Sequence, residues 1–213
     1  MRTLFVSFAL LVLLTACGHR DPTSKTASPQ PQPAAELALS WLRDLVGEDE
    51  ENNKESGFDS VEQVEQATLG QPLEVYFVRL DKLREWNGEA PDALVLQSKS
   101  EETVYPVLVD KQMKSTVSIF RDAAAAYRPA TLGNAEIART LAQYGQGQGD
   151  FIVRVPAFGM YFIGRRAANQ VELTPVRADS RLPDFPPGKP VPSVQILQQL
   201  VPLAKSMDAG LPR

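Results

Sequence analysis

The sequence predicts an α+β fold in which helices pack against antiparallel strands. Segments with apolar residues three and four positions apart are followed by segments in which apolar and polar residues alternate. Short turn sequences join successive strand segments, as in antiparallel hairpins. The order helix, strand, strand, strand occurs twice, in units 60–128 and 134–176. Whether these two units are an internal duplication stays open at this stage.

Helices are predicted at 36–46, at about 60–68, from Asn134 to Gly145 and from Ser193 onward. The first has Ala38, Trp41, Leu42 and Leu45 at helical spacing and ends at Gly47, before a polar acidic loop at 47–60. The second opens with the capping-box sequence Ser60-Val61-Glu62-Gln63. In the last, Pro202 should kink or restart the helix.

Strands are predicted at 73–78, 93–97, 103–109, 113–121, 151–155, 160–163 and 171–176. A helical turn at 80–86 follows the first. Pro106 cannot donate to a strand ladder, so it predicts an edge position or a bulge for 103–109. Asp110 to Gln112 is a tight hairpin connection, and Ala123 to Ala126 are expected to form a loop between two strands. The helix-then-meander order loosely resembles cystatin-like and PepSY-like secreted domains, and this likeness of topology implies no function.

The first sixteen residues predict an export signal. Arg2 supplies one positive charge, and Leu4 to Leu14 is an apolar run interrupted by Ser7. As a helix this run would be roughly 16 Å long, whereas the hydrocarbon core of a membrane is about 30 Å thick. The segment is therefore too short for a permanent transmembrane helix.

Leu14-Thr15-Ala16-Cys17 resembles the lipobox of bacterial lipoproteins. The resemblance implies cleavage between Ala16 and Cys17, diacylglycerol on the Cys17 sulfur, further acylation of the new amino group, and attachment to a membrane. The residue after the cysteine is Gly18 and not the aspartate that commonly retains such proteins in the inner membrane. The implied location is the bacterial cell envelope, at the outer membrane facing the periplasm. The alternative is an ordinary secretory signal followed by a cysteine.

Residues 17–35 predict a disordered tether because they are rich in proline and poor in aliphatic residues. The single domain that we expect, 36–207, is long enough to bury a core. Cys17 is the only cysteine, so no disulfide forms within the chain. His19, the only histidine, lies in the predicted tether and is expected to be solvated.

The composition excludes several kinds of chemistry. With no histidine in the domain, Ser-His-Asp and Cys-His mechanisms and ordinary zinc sites are excluded. No cofactor or metal is expected: the acidic segment 51–62 has the length of a calcium loop, but Ser56 stands where that loop requires glycine. The formal net charge of −4 disfavours binding to nucleic acid. Carboxylate pairs remain, and they leave open a glycan-active enzyme as the alternative function.

Charge is distributed unevenly along the chain. Residues 36–150 contain 11 basic and 21 acidic residues, and residues 151–213 contain 8 basic and 4 acidic ones. The later part holds the candidate basic binding face: Arg154, Arg165, Arg166, Arg177 and Arg181. Such a face would meet an acidic partner protein or an anionic envelope polymer, although attraction within the domain explains the asymmetry as well. We therefore expect a lipid-anchored, non-enzymatic binding module.

Overall fold

The computed structural model describes residues 30–48, 50–145 and 149–207. Within these ranges the chain forms seven α-helices and nine β-strands, which confirms the α+β fold. The helices are α1 (Pro31–Glu48), α2 (Glu50–Ser56), α3 (Val61–Glu65), α4 (Leu80–Glu85), α5 (Pro91–Leu96), α6 (Ala135–Tyr144) and α7 (Ser193–Ser206). The strands are β1 (Thr68–Leu69), β2 (Leu73–Phe77), β3 (Lys99–Val109), β4 (Gln112–Arg121), β5 (Tyr127–Leu132), β6 (Asp150–Val155), β7 (Met160–Ala167), β8 (Gln170–Pro175) and β9 (Val191–Pro192).

All nine strands belong to one sheet. Its order is β5-β4-β3-β2-β6-β7-β8-β9, with β1 paired to β3. Strands β2 and β6 are parallel, and every other pair is antiparallel. The two predicted helix-plus-three-strand units therefore lie side by side in one continuous sheet. Their first strands meet in the middle, and each unit runs outward from there as a meander.

Helices cover both faces of this sheet. Helix α6 packs on one face, where Ile137 and Leu141 contact the inward side chains of β2, β3, β6 and β7. Helix α1 packs on the opposite face over β3 and β4. Helices α4, α5 and α7 cover the same opposite face over β6, β7 and β8. Successive side chains along a strand point to opposite faces of the sheet, which explains why the core clusters on the two faces are separate. Val75 packs on the α6 side, and its neighbour Tyr76 packs on the α7 side.

Helix α1 begins earlier than the sequence predicts. It starts at Pro31, inside the predicted tether 17–35, and Ala34 and Ala35 in its first turns are fully buried. Proline is compatible with a first turn because the N–H groups there have no partner within the helix. The buried side also differs from the prediction, since Trp41 is 36% exposed.

Two further segments correct the sequence-based prediction. Residues 91–96 form helix α5 where a strand was predicted, and Pro91 occupies the start of that helix. Residues 50–56 form helix α2 inside the predicted acidic loop. Both segments lack a clear apolar period, so local pattern alone gave the wrong structure.

An edge or a bulge was predicted for Pro106. Strand β3 is an interior strand, so the edge position is wrong, but a bulge in the β3–β4 ladder does follow Pro106, between Val107 and Leu108. The missing N–H of Pro106 lies between the stretch of β3 that pairs with β2 and the stretch that pairs with β1. The Pro106 carbonyl oxygen accepts a hydrogen bond from the Gly70 amide at 2.8 Å. A proline is tolerated here because no neighbouring strand needs its donor.

The remaining predicted elements are confirmed in outline. Strands β2, β4, β6, β7 and β8, the loop at 123–126, and helices α6 and α7 lie where the sequence places them. The Asn134 side chain accepts from the Ile137 amide at 3.0 Å, as expected of a helix cap. Tyr144, whose spacing from Leu141 and Ile137 would place it on the apolar side of α6, is 38% exposed. Helix α7 continues through Pro202.

The three core clusters draw all their residues from between Ala34 and Ala204. The described chain from residue 30 to residue 207 contains the nine-stranded sheet and the seven helices that pack on it. No helix among the described residues combines the length and apolar character needed to cross a membrane. The predicted signal, the lipobox with Cys17, and His19 lie outside the described residues.

Candidate functional site

The five arginines of the predicted basic face are distributed over both sides of the sheet. Arg165 and Arg166 are consecutive on β7, so their side chains point to opposite faces. The Arg165 side chain donates to Asp150 Oδ1 at 2.9 Å and to the Tyr144 carbonyl oxygen at 3.0 Å. Arg166 donates to the Tyr76 hydroxyl at 3.1 Å on the α7 side.

The other three arginines also have partners within the domain. Arg154 pairs with Glu102 and lies over the rings of Phe77 and Tyr161, at 5.5 and 5.0 Å from their centres. Arg177 donates to the Gly159 carbonyl oxygen at 3.1 Å. Arg181 binds Asp179 and donates to the Phe158 carbonyl oxygen at 2.7 Å. In this structure each of the five arginines has an internal partner.

A different set of cations comes together beside α6. The β3–β4 hairpin is the first element that positions it. The hairpin turns at Asp110 and Lys111, which have φ values of +50° and +65°. Two consecutive residues with positive φ are the mark of a tight two-residue turn, for which asparagine and glycine are preferred. A lysine is thus held at the tip of the hairpin in a backbone conformation that costs about 1 kcal/mol.

A β-bulge next to this turn places the second cation. Val107 pairs with Ser115 and Leu108 with Met113, so Lys114 has no opposite residue on β3. Regular alternation would send the adjacent side chains of Met113 and Lys114 to opposite faces. Because the bulge interrupts the alternation, Met113 and Lys114 both line the hollow that lies between α2 and α6.

The end of α2 closes this region from a third side. Gly57, with φ of +93°, follows α2 directly. A β-carbon at Gly57 would overlap the carbonyl oxygen of Lys114, so only glycine fits this close approach. The contact fixes Lys54 and Asp59, which flank Gly57, beside the bulge of β4.

These elements enclose what we call the basic cleft, a hollow of about 690 Å³. Its cations are Lys54, Lys111, Lys114 and Arg139. Its remaining wall includes Phe58, Asp59, Leu108, Met113, Ala135 and Ala142. The volume is within the range of roughly 300–1,000 Å³ that is typical of small-molecule sites. A cleft that combines these cations with apolar side chains is suited to bind an anionic ligand.

The cleft holds more positive than negative charge. Lys114 donates to the Asp59 carboxylate at 3.2 Å, and Asp59 also accepts from Gln63. The Gln63 hydrogen bond, followed by Lys114, holds the Asp59 pKa below its usual value. Within the part of the chain that the structure describes, Lys54, Lys111 and Arg139 make no ion pair. Three cations therefore remain available to a ligand.

A second hollow, which we call the apolar chamber, adjoins the basic cleft. It has a volume of about 490 Å³, and its lining includes Pro72, Leu73, Pro106, Leu108, Met113 and Leu141. Leu108 and Met113 line both hollows and are a cross-strand pair at the bulge. Helix α6 runs beside both: Ala135, Arg139 and Ala142 border the cleft, and Leu141 borders the chamber.

Several carboxylates of the described residues form ion pairs with lysine or arginine. The best buried ones, Asp150, Glu102 and Asp179, each bind an arginine. Each carboxyl group with a shifted pKa is shifted downward, the direction that disfavours a general acid. In the described residues, no group of three or more His, Cys, Asp or Glu side chains could hold a metal ion.

Sequence reasoning missed the four cations of the basic cleft. They come from α2, the β3–β4 hairpin and α6, and 85 positions separate Lys54 from Arg139. They also lie in the acidic part of the chain, where net charge conceals a local excess of positive charge. The close spacing of Lys111 and Lys114 at a tight turn was the available signal. Comparison with protein-family models, curated proteins and solved structures finds no match for the chain.

Proposed function

We propose that this protein is a lipid-anchored extracytoplasmic envelope protein, whose folded body is a non-enzymatic binding module for an anionic partner. The observation that carries the binding proposal is the basic cleft, a single hollow lined by Lys54, Lys111 and Arg139, which form no ion pair among the described residues. Unneutralised charge costs stability through mutual repulsion. Its retention in a net acidic chain is explained if a ligand supplies the missing negative charge.

The proposal moves the expected binding site away from the five arginines. Their side chains stabilise the fold through internal hydrogen bonds and ion pairs. The lysines of the cleft have no such role apart from Lys114. Lysine binds phosphate and carboxylate groups as a mobile point charge, which suits a cleft that accepts ligands of more than one shape.

The anchor part of the proposal depends on Leu14-Thr15-Ala16-Cys17. One acyl chain gives marginal membrane binding, whereas two or more anchor a protein stably. We expect Cys17→Ser to abolish incorporation of labelled fatty acid in cells. Thr15→Ser, which keeps a small residue in the lipobox, should leave labelling unchanged. Equal labelling of the Cys17→Ser chain would refute the anchor and leave the binding proposal standing.

Binding can be measured on the chain beginning at Gly18, exported with a cleavable leader that lacks a lipobox. Inorganic tripolyphosphate is the probe, and calorimetric titration at low salt is the measurement. We expect the double variant Lys54→Gln/Arg139→Gln to bind at least tenfold more weakly than the unsubstituted chain. The control, Lys189→Gln/Lys205→Gln, removes the same charge from exposed positions outside the cleft.

Equal losses in the two double variants would show that binding follows net charge and not the cleft, and would overturn the proposal. Absence of tripolyphosphate binding by the unsubstituted chain would overturn it as well. The carboxylate-enzyme alternative has its own assay, the release of reducing sugar from purified peptidoglycan. Turnover that is lost on replacing a single Asp or Glu would replace the binding module with an enzyme.

A further inference from the structure

We infer that the ligand of this module is an amphiphile, with an anionic head group in the basic cleft and a hydrocarbon chain in the apolar chamber. The inference rests on the proposed function and adds the chemical class of the ligand. The two hollows carry it together. One offers uncompensated positive charge, and the other, next to it, offers an apolar lining.

The hollows meet at the cross-strand pair of Leu108 and Met113. Both side chains are half-buried, and both line the cleft as well as the chamber. Methionine is unbranched and adapts its shape to its neighbours. A ligand chain that follows the surface of Leu108 and Met113 would lead from Lys111 and Lys114 in the cleft toward Leu73 and Leu141 in the chamber.

The lining of the chamber favours hydrocarbon over a polar extension of the ligand. Its walls include the prolines Pro72 and Pro106, which have no backbone donor, and the side chains of Leu73 and Leu141. Two polar side chains also line it, Gln71 and Asp150, and the Asp150 carboxylate is bound to Arg165. A sugar or peptide placed there would lose more hydrogen bonds to water than these two side chains could replace. A methylene chain loses none, and each buried methylene tightens binding about fourfold.

Helix α6 explains why the two environments stay separate. Ala135, Arg139 and Ala142 are spaced four and three residues apart, so they form one stripe along the helix, and this stripe faces the cleft. Leu141 lies on the adjacent stripe and faces the chamber. A single helix thus presents charge to one part of a bound molecule and apolar surface to the other.

The test compares probes that differ by one part, using the chain that begins at Gly18. Dodecyl phosphate, kept below its micelle concentration, has both parts. Inorganic phosphate has the head group alone, and dodecyl maltoside has a chain with an uncharged head group. We expect dodecyl phosphate to bind at least a hundredfold more tightly than inorganic phosphate. We also expect octyl phosphate to bind more weakly than dodecyl phosphate.

Substitutions then assign each part of the probe to its hollow. Leu73→Gln and, separately, Leu141→Gln, which line the chamber but not the cleft, should reduce the affinity for dodecyl phosphate at least tenfold while leaving tripolyphosphate binding within twofold. Met207→Gln changes an exposed methionine outside both hollows and is the control. Lys54→Gln/Arg139→Gln should weaken the binding of both probes. Circular dichroism of each variant establishes that it is folded, and two independent chamber variants keep the test decisive if one of them unfolds.

Three outcomes would overturn the inference. The first is an affinity independent of chain length, with tripolyphosphate still bound in the cleft, which would leave the proposed function intact. The second is binding of dodecyl maltoside as tight as that of dodecyl phosphate. The third is binding to vesicles that contain phosphatidylglycerol without any binding of monomeric dodecyl phosphate, which would indicate adsorption to a membrane surface. Failure of both dodecyl phosphate and tripolyphosphate to bind would refute the proposed function too.

Discussion

Gly57 lies against the carbonyl oxygen of Lys114, closer than any residue with a β-carbon could approach. This contact joins the end of α2 to the bulge of β4, and it fixes one wall of the basic cleft. It also relates a backbone irregularity to a binding surface. The bulge brings two adjacent side chains to the cleft, and the glycine allows α2 to pack against the bulge.

We expect Gly57→Ala to destabilise the fold by more than about 3 kcal/mol, because it adds a steric overlap to a strained φ of +93°. Gly88→Ala is the matched control. Gly88 has a similar φ of +97°, but a β-carbon there would have no neighbour within 4 Å. Its expected cost is about 1 kcal/mol, from backbone strain alone. Urea unfolding of the two variants measures the difference, and equal losses would argue against the close contact.

A substitution at Ser115 is expected to stabilise the protein. The Ser115 side chain is fully buried on the α1 side of β4, and its hydroxyl has no hydrogen-bond partner among the described residues. A buried unpaired hydroxyl costs about 1–3 kcal/mol. We therefore expect Ser115→Ala to raise the free energy of unfolding by about 1 kcal/mol. Ser40→Ala, which removes a hydroxyl that donates to the Leu37 carbonyl oxygen at 2.9 Å, should give no gain. A loss of stability in Ser115→Ala would mean that this hydroxyl has a partner.

The elements that the sequence predicted correctly are those whose apolar residues follow the period of a strand or a helix. Strand β4 shows this well, since the alternation of Val117 and Ile119 with its neighbours follows the sheet. Helix α5 was mistaken for a strand because Ala93 to Leu96 is a short apolar run, and such a run fits either structure. The parallel pairing of β2 with β6 has no local signature, because the paired residues are 77 positions apart in the sequence.

The site was harder to predict than the fold for a related reason. A cluster of cations from three elements exists only after the chain has folded. The residue composition of β4 does not indicate a bulge at Lys114. The sequence near Lys54 does not indicate that Lys54 lies near Arg139 in the folded chain. The arginines were predicted to form a binding face because they are close together in the sequence. In a strand, however, the consecutive side chains of Arg165 and Arg166 point to opposite faces.

Asp179 provides a prediction about pH. Its carboxylate accepts hydrogen bonds from the backbone and side chain of Arg181, and the side-chain bond is the main reason that its pKa falls from 3.8 to about 2. A lowered pKa in the folded state stabilises the protein above pH 4, and this stabilisation is lost as the pH falls from about 4 to about 2. We expect a contribution of about 1 kcal/mol, since water partly screens the exposed Arg181.

The variant Asp179→Asn should therefore lower the free energy of unfolding at pH 7 and have a much smaller effect near pH 2. Asp184→Asn, an exposed residue of the same loop, serves as the control. Thermal unfolding at several pH values measures both variants. If the loss in Asp179→Asn were the same at pH 7 and pH 2, the ion pair would not be its cause.

Pro202 lies inside α7, where it removes a backbone hydrogen bond. A proline in a helix interior costs about 3 kcal/mol, part of which is offset because proline also restricts the unfolded chain. We expect Pro202→Ala to stabilise the protein by about 1 kcal/mol or more. Pro33→Ala, in the first turn of α1, should bring no such gain, because that position has no hydrogen bond to restore. Chemical denaturation measures the free energy of unfolding of both variants. Equal changes in the two would show that Pro202 does not destabilise α7.

Lys111 links the stability of the hairpin to the proposed function. Its φ of +65° favours glycine, so Lys111→Gly should raise the free energy of unfolding by about 0.5–1 kcal/mol. The same change removes one of the cleft's available cations, and the affinity for tripolyphosphate should fall severalfold. Asp110→Gly is the matched control, because it relieves strain in the same turn, where φ is +50°, and leaves all four cations in place. Its stability should rise as well, with no loss of binding. Both quantities can be measured on the same samples by urea unfolding and titration calorimetry. If Lys111→Gly kept full affinity, the lysine at this strained turn would have no part in ligand binding.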